Sequence, residues 1–275
     1  MADRFFQIHL DQILKEKAPL LAQKLPGFMV KLLAKIIHQE DLNQTLQYIG
    51  NASGVEAMQK VMEYFNLTVR LEGEENIPST GKYIFVSNHP LGALDGICLS
   101  AVLGQKYNHN IKYIVNDILY FLKPFQPIFI PVNKHGSQSK RYAALINEAC
   151  VSDNQLITFP AGLCSRKKKG KIEDALWKKM FILKAVEYQR DVVPIFFEGR
   201  NSRFFYWLAN TRTKLGIKAN LEMLFLPAEV FKQKSATFTI HFGKPISWKM
   251  FDAANTPQEW ANHIKNIAYQ LEKNK

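Results

Sequence analysis

Cysteine is scarce in this 275-residue chain. Cys98, Cys150 and Cys164 stand far apart and form no Cys-x-x-Cys pair. Neither a disulfide framework nor a structural zinc site is expected, and the set fits a reducing compartment. Long apolar runs are missing too: none reaches the ~20 residues a bilayer-spanning helix takes. Met1-Ala2-Asp3-Arg4 leads into a mixed polar and apolar run that does not read as a signal peptide. Several motifs are also absent. Gly136-Ser137-Gln138-Ser139 lacks the closing glycine of a nucleophile elbow, and Gly81-Lys82 lacks the earlier glycine of a Walker loop. No Gly-x-Gly-x-x-Gly and no His-Glu-x-x-His occurs. These gaps argue against serine-hydrolase, nucleotide-binding and zinc-hydrolase readings.

Acidic residues are in short supply, with 24 Asp and Glu against 36 Lys and Arg, a formal charge of +12. Such a surplus favours an anionic partner: nucleic acid, an acidic carrier protein, phosphate groups or an anionic membrane. Nucleic acid is the weakest of these, because no helix-turn-helix, RNA-binding signature or aromatic–basic alternation stands out. Hydrophobic residues make up 47% of the chain, enough for a full core.

Up to about Phe65 the chain shows no clear strand. In Phe28–His38 the cations Lys31, Lys35 and His38 fall on one helical stripe and the rest is apolar. That pattern suits either a helix lying in a membrane interface or one packed on its own domain with lysines to solvent. From Leu67 onward β-rich runs alternate with helical stretches. The strands are Leu67–Leu71, Tyr83–Val86, Ile111–Val115, Ile128–Val132, Leu156–Phe159, Val192–Phe197 and Thr237–Phe242. The helices are Gly96–Leu103, Ile118–Leu122, Gln138–Cys150, Ile172–Tyr188 and Pro257–Lys273. The expected fold is α/β, a mostly parallel central sheet flanked by helices, with an N-terminal amphipathic helical extension. Residues 1–65 form the helical, membrane-interface candidate and residues 66–275 the α/β domain.

Asn88-His89-Pro90-Leu91-Gly92-Ala93-Leu94-Asp95 lies where a strand turns into a helix, the place where open α/β sheets bind ligands. A carboxylate near an imidazole fixes its tautomer and stabilises its protonated form. A second strand runs into Pro160-Ala161-Gly162-Leu163-Cys164-Ser165-Arg166 and then Lys167-Lys168-Lys169. Gly162 permits an unusual backbone angle or a close ligand approach, and Arg166 suits a phosphate or carboxylate. The three lysines individually read as a solvated loop. Lys134 and Arg141, near another strand end, suit either an anion or plain surface. Pro194 marks a strand end or bulge. Phe204-Phe205-Tyr206-Trp207 suits an acyl pocket, a membrane interface or core packing. The histidines other than His89 show no acidic or metal-ligand partner pattern and read as structural or surface residues.

Taken in order, these blocks resemble the PlsC-like glycerolipid and lysophospholipid acyltransferases. The resemblance rests on an Asn-His…Asp block, a Phe-Ile…Lys strand end, a Phe-Pro-x-Gly…Ser-Arg block and a Val-Val-Pro-Ile strand, and runs from about Leu67 to Pro245. It implies transfer of a fatty acyl group from an acyl-carrier-protein or coenzyme A thioester to a lysolipid hydroxyl. It implies His89 as general base with Asp95 orienting it, and Asn88, Lys134, Gly162, Arg166 and Pro194 on the substrate side. No metal or bound cofactor is implied, the thioester being a co-substrate, and backbone N–H groups at the strand–helix turn are expected to hold the oxyanion. The expected partners are the carrier or coenzyme A, the lysolipid and an anionic membrane surface, not nucleic acid. The expected location is cytoplasmic, peripheral on the inner face of the cell membrane. Two departures stand out: five residues separate His89 from Asp95 where the family usually has four, and Ala161 replaces the usual glutamate. On one regular helix His89 and Asp95 would not face each other, so His89 must precede the helix and Gly92 must kink the turn. Ala161 points to an acceptor other than plain lysophosphatidate. Such variants resemble bacterial aminolipid O-acyltransferases and hemolysin-like members. The rival from another class is a non-catalytic basic membrane-surface or carrier-binding protein on the same fold.

Overall fold

The computed structural model describes residues 6–132, 139–168 and 170–272. Five helices come first: α1 Leu10–Lys17, α2 Pro19–Lys24, α3 Gly27–Ile36, α4 Gln39–Ile49 and α5 Gly54–Tyr64. Then follow β1 Thr68–Glu72, β2 Tyr83–Ser87, α6 Leu94–Lys106, β3 Ile111–Asn116, β4 Phe129–Val132, α7 Ser139–Val151 and β5 Gln155–Thr158. The second half comprises β6 Arg166–Lys168, β7 Lys171–Glu173, α8 Met180–Glu187, β8 Asp191–Phe197, α9 Arg203–Lys214, α10 Leu226–Phe231, β9 Thr237–Phe242 and α11 Pro257–Leu271.

Seven strands form one sheet in the order β1-β9-β8-β2-β5-β3-β4. The five from β8 to β4 are mutually parallel, whereas β9 runs antiparallel to β8 and parallel to β1. The sheet is therefore mostly parallel and flanked by helices. Strands β2, β5 and β8 are buried on both faces, which explains their continuous apolar sequences. One face carries Phe85, Val193 and Phe197 against α5 and α6; the other carries Ile84, Val86 and Val192 against α8 and α11. Arg190, fully buried just before β8, donates to the carbonyls of Ala149, Cys150 and Ser152 and so caps the end of α7.

Helices α4 and α5 bury Leu46, Ile49, Val55 and Met58 in the same core as the sheet. A Cβ on Gly104 of α6 would sit 2.4 Å from Val55, so glycine lets α5 and α6 meet. The N-terminal helical segment, described from residue 6, thus merges with the α/β core at these two helices. Helix α3 differs: it has no buried residue, and Phe28 and Leu32 are exposed. No described helix is long and apolar enough to cross a membrane.

Three sequence expectations change. Ile118–Leu122 is not an α-helix; Asp117–Phe121 makes a 3-10 turn shortly before Pro124. The helix expected over Ile172–Tyr188 is confined to Met180–Glu187. Its first part is strand β7, paired antiparallel with β6 around Gly170 at φ +84°. The alternating Lys171-Ile172-Glu173 follows a strand period, so part of the lysine run is hairpin rather than loop. Pro194 lies inside β8 rather than at its end, in register with Val86. The bulge is opposite it: Ile195 pairs with Phe242 but Val192 bridges Ile246, so the β9 side carries an extra residue.

Candidate active site

Strand β2 ends at Ser87 and helix α6 begins only at Leu94, so His89 to Ala93 form a non-helical turn. Gly92 takes φ +83° there, a left-handed conformation that glycine accepts without strain. The kink accommodates the fifth intervening residue. His89 Nδ1 lies 3.0 Å from Asp95 Oδ2. Asp95 is fully buried in the first turn of α6, and its Oδ2 also accepts from the backbone N–H groups of Leu91 and Gly92. Its Oδ1 accepts from Gly96 N–H at 2.9 Å. An ionised carboxylate only accepts, so Nδ1 donates and Nε2 is left as the basic nitrogen. Burial pushes the His89 imidazole down, but the charge and hydrogen bond of Asp95, aided by Asp174, outweigh it and hold its pKa above the ordinary value. Phe159 stacks on the ring at 4.1 Å between centroids.

The backbone of His89 is gripped from the other side. Its N–H donates to Asp174 Oδ1 at 3.2 Å, and its carbonyl accepts from Ser165 N–H at 2.7 Å. Ser165 Oγ donates to the same Asp174 oxygen at 2.6 Å, and Trp177 Nε1–H donates to Oδ2 at 2.9 Å. Burial raises the pKa of the Asp174 carboxyl against the opposing effect of these donors. Asp174 stands just after the hairpin and 85 residues from His89 in sequence. Sequence reasoning missed it because no motif marks it; the alternation through Lys171-Ile172-Glu173, which places a strand end there, was the available signal.

The other expected site residues separate into groups. Asn88 joins two strand ends, donating to Phe197 C=O at 3.0 Å and accepting from Phe197 N–H at 2.7 Å. It positions the turn from within the sheet. Gly162, at φ +66°, turns the chain after β5, and its N–H donates to Phe159 C=O. Arg166, expected to grip an anion, spends its guanidinium inside the protein: Nη2 meets Glu222 Oε1 at 2.6 Å and Nη1 meets Cys164 C=O at 2.6 Å. Arg212 holds the other carboxylate oxygen of Glu222, also at 2.6 Å. The pair of arginines offsets the burial of Glu222 and lowers its pKa overall. Pro194 pairs with Val86, three residues before His89, and is not gathered into the turn. Lys134 falls outside the described residues.

Two further expectations need correction. The N–H groups of Leu91, Gly92 and Gly96 all point to Asp95, so these three are not available to an oxyanion. And two histidines expected to show no acidic partner pattern have such partners: His241 Nε2 lies 2.7 Å from Glu198, and His38 Nδ1 2.8 Å from Asp41. The first carboxylate is hidden from the sequence by strand pairing across 43 residues, whereas the second stands only three residues from His38, a spacing that is readable locally.

Comparison with known proteins identifies the family. A family model described as acyltransferase matches residues 12–275. A lyso-glycine lipid O-acyltransferase of Bacteroides thetaiotaomicron is 47% identical over 269 residues, 98% of this chain and 99% of that protein. One of the same name from Phocaeicola vulgatus is also 47% identical, over 98% of this chain and 96% of that protein. The crystal structure of the 1-acyl-sn-glycerophosphate acyltransferase PlsC from Thermotoga maritima has a similar fold. Its TM-score is 0.50 at 14% identity, covering 96% of this chain and 95% of that one. A buried carboxylate holding a histidine where a parallel strand turns into a helix, on a chain matched by this family along nearly its whole length, leaves one assignment: the protein belongs to the PlsC-like acyltransferase family and is an O-acyltransferase of the lysolipid type.

Proposed function

We propose that this enzyme moves a fatty acyl group from an acyl-carrier-protein or coenzyme A thioester to the hydroxyl of a lyso-glycine lipid, with His89 as general base. The identity of 47% to two lyso-glycine lipid O-acyltransferases across nearly the full length carries the choice of acceptor. The His89–Asp95 contact supports the choice of base. His89 Nε2 takes the hydroxyl proton as the oxygen attacks the thioester carbonyl. The tetrahedral intermediate collapses, the carbon–sulfur bond breaks, and the imidazolium returns the proton to the departing thiolate. Asp95 stabilises the imidazolium and keeps the tautomer, and Asp174 and Ser165 keep the His89 backbone in place. The reaction runs on the thioester as co-substrate, without a bound cofactor. General base assistance is typically worth ~10²–10⁴ in rate.

The acceptor is a lipid, so the enzyme works at a membrane surface, peripherally on the cytoplasmic side. Helix α3 suits that attachment, with exposed Phe28 and Leu32 beside exposed Lys31 and Lys35. The test is an in-vitro assay crossing both thioester donors with lyso-glycine lipid and lysophosphatidate. The expected result is ester formation on lyso-glycine lipid, lost in His89→Ala while the fold persists. Near-normal turnover by that variant would remove His89 as the base, and a preference for lysophosphatidate would overturn the acceptor.

A further inference from the structure

The unit built from α9, α10 and the loops around them, residues 199–234, has an unusual surface. It contains only two carboxylates, Glu222 and Glu229, and both are buried. Glu222 is enclosed by Arg166 and Arg212; Glu229 accepts from Ser202 N–H and Oγ and pairs with Lys232. The outer surface of this unit therefore presents no acidic side chain, while Arg203, Lys214 and Lys218 are exposed. Beside these cations stand large apolar side chains. Helix α9 buries Phe205, Tyr206 and Ala209 and turns Phe204 and Trp207 outward, 44% and 60% exposed. Leu215, just past its end, is 70% exposed. Phe204, Trp207, Thr211 and Lys214 follow one another at steps of three, four and three residues, which puts them along one side of the helix, and Leu215 comes directly after. An apolar stripe set among cations and cleared of carboxylates matches an anionic lipid surface in both its parts.

The unit is also fixed to the catalytic turn. A Cβ on Gly92 would sit 3.0 Å from the Leu226 side chain, Gly199 packs against Leu91, and Asn201 Nδ2 donates to Pro90 C=O. At one end of α10 Phe225 meets Phe204, and at its other end Phe231 stacks on His38, which precedes α4 and follows α3. The aromatic contacts thus link the exposed stripe of α9 to the N-terminal helices.

We infer that the exposed side of α9 together with the segment just after it, with Phe204, Trp207 and Leu215 as apolar anchors and Arg203, Lys214 and Lys218 as cations, is a second docking surface for an anionic membrane, on the unit that packs against the turn holding His89. Docking there brings the bilayer to the edge of the site, where a lysolipid acceptor leaves it. This last step rests on the function proposed above, but the docking does not. The acidic surface of a carrier protein is the competing occupant, and the test separates the two.

Flotation with phosphatidylcholine vesicles, with and without phosphatidylglycerol, reads the docking directly and involves no turnover. The double variant Phe204→Ser/Trp207→Ser is expected to bind both vesicle types about tenfold or more weaker, since two aromatic side chains leave the interface. Lys214→Glu/Lys218→Glu is expected to lose the preference for phosphatidylglycerol. Because a double variant can lose its fold, a second reading uses the otherwise native chain with Leu215→Cys carrying an environment-sensitive dye; the three native cysteines are buried. Its emission is expected to shift to the blue on phosphatidylglycerol vesicles. Wild-type vesicle binding by the aromatic variant, or a dye that answers to acyl-carrier protein and not to vesicles, would overturn the inference. Failure of acyl transfer to lyso-glycine lipid would leave these readings unchanged and would refute only the proposed function.

Discussion

Replacing Asp95 by asparagine separates the charge of this group from its shape. The side chain is fully buried, and its two oxygens accept four hydrogen bonds: three at Oδ2, from His89, Leu91 and Gly92, and one at Oδ1, from Gly96. An asparagine must aim its amide N–H₂ at one of these positions. Facing the Oδ2 side, it opposes three donors; facing the Oδ1 side, it opposes one. The second orientation wins, so Asp95→Asn keeps an acceptor against His89 Nδ1 and leaves Gly96 N–H unpaired. One unpaired buried donor costs ~1–3 kcal/mol, and more where geometry cannot relax. For a chain of this size that lowers Tm by roughly 2–10 °C, a loss the fold survives. The imidazole loses its counter-charge, and burial, which already pushes its pKa down, then meets less opposition. The sign follows directly. With His89 as the proposed base, which must be neutral to work, the acid limb of kcat/KM against pH is expected at the His89 pKa, above the ordinary value in the wild type, and is expected to move to lower pH in the variant. The plateau rate falls as well, because the imidazolium formed during proton transfer is no longer stabilised, by up to the ~10²–10⁴ of the general-base contribution. The measurements are thermal unfolding and a pH–rate profile with the same thioester and acceptor. An acid limb that stays in place or moves upward would refute the assigned electrostatics, and a plateau equal to wild type would refute the role of the pair.

Gly92→Ala places a side chain at φ +83° and pushes a Cβ to 3.0 Å from Leu226. Left-handed backbone costs a non-glycine residue roughly 1–2 kcal/mol, so Tm falls and kcat falls with it as the Asp95 contacts to the turn loosen. Adding Leu226→Ala is expected to relieve the contact but not the backbone strain; full recovery in the double variant would show the turn needs no glycine. Asp174→Asn puts an amide donor against Trp177 Nε1–H or against His89 N–H and Ser165 Oγ. The expected result is a drop in kcat with little change in KM, together with an acid limb shifted to lower pH, since the Asp174 charge helps hold the His89 pKa up. A lower Tm with kcat and the pH profile intact would reduce Asp174 to a structural residue.

What could be read in the sequence was local. The strand–turn–helix around His89 announces itself in a continuous stretch: an apolar run, then Pro90 and Gly92, then a second apolar run. The need for Gly92 to kink follows from residue spacing alone. The parallel sheet was legible for a similar reason, because β2, β5 and β8 are buried on both faces and their sequences are apolar throughout. What could not be read depends on distant partners. Asp174 reaches His89 across 85 residues, and Glu222 reaches Arg166 across 56. A charged residue beside a lysine run carries no local mark that distinguishes a buried carboxylate from a solvated one. Arg166 shows the same limit in reverse: an arginine after a glycine-bearing turn suits an external anion on local grounds, and only the fold supplies an internal one. The N-terminal helices divide likewise, since amphipathicity does not say whether an apolar side meets the core, as in α4 and α5, or stays exposed, as in α3.

Glu222 also bears on the departure at Ala161. A carboxylate next to Gly162 would lie close in sequence to Arg166 and could neutralise it from within the same loop; Ala161 is instead apolar and buried. An arginine this enclosed still needs a counter-charge, because an unpaired buried charge costs several kcal/mol. Here it comes from the segment between α9 and α10, and Arg212 of α9 shares it. The ion triad therefore fastens the loop that carries Ser165, and through it the backbone of His89, to the unit with the cationic, aromatic exterior. The triad makes the geometry of the histidine turn depend on where α9 and α10 sit, so a contact made by their outer surface bears on the same groups that hold His89.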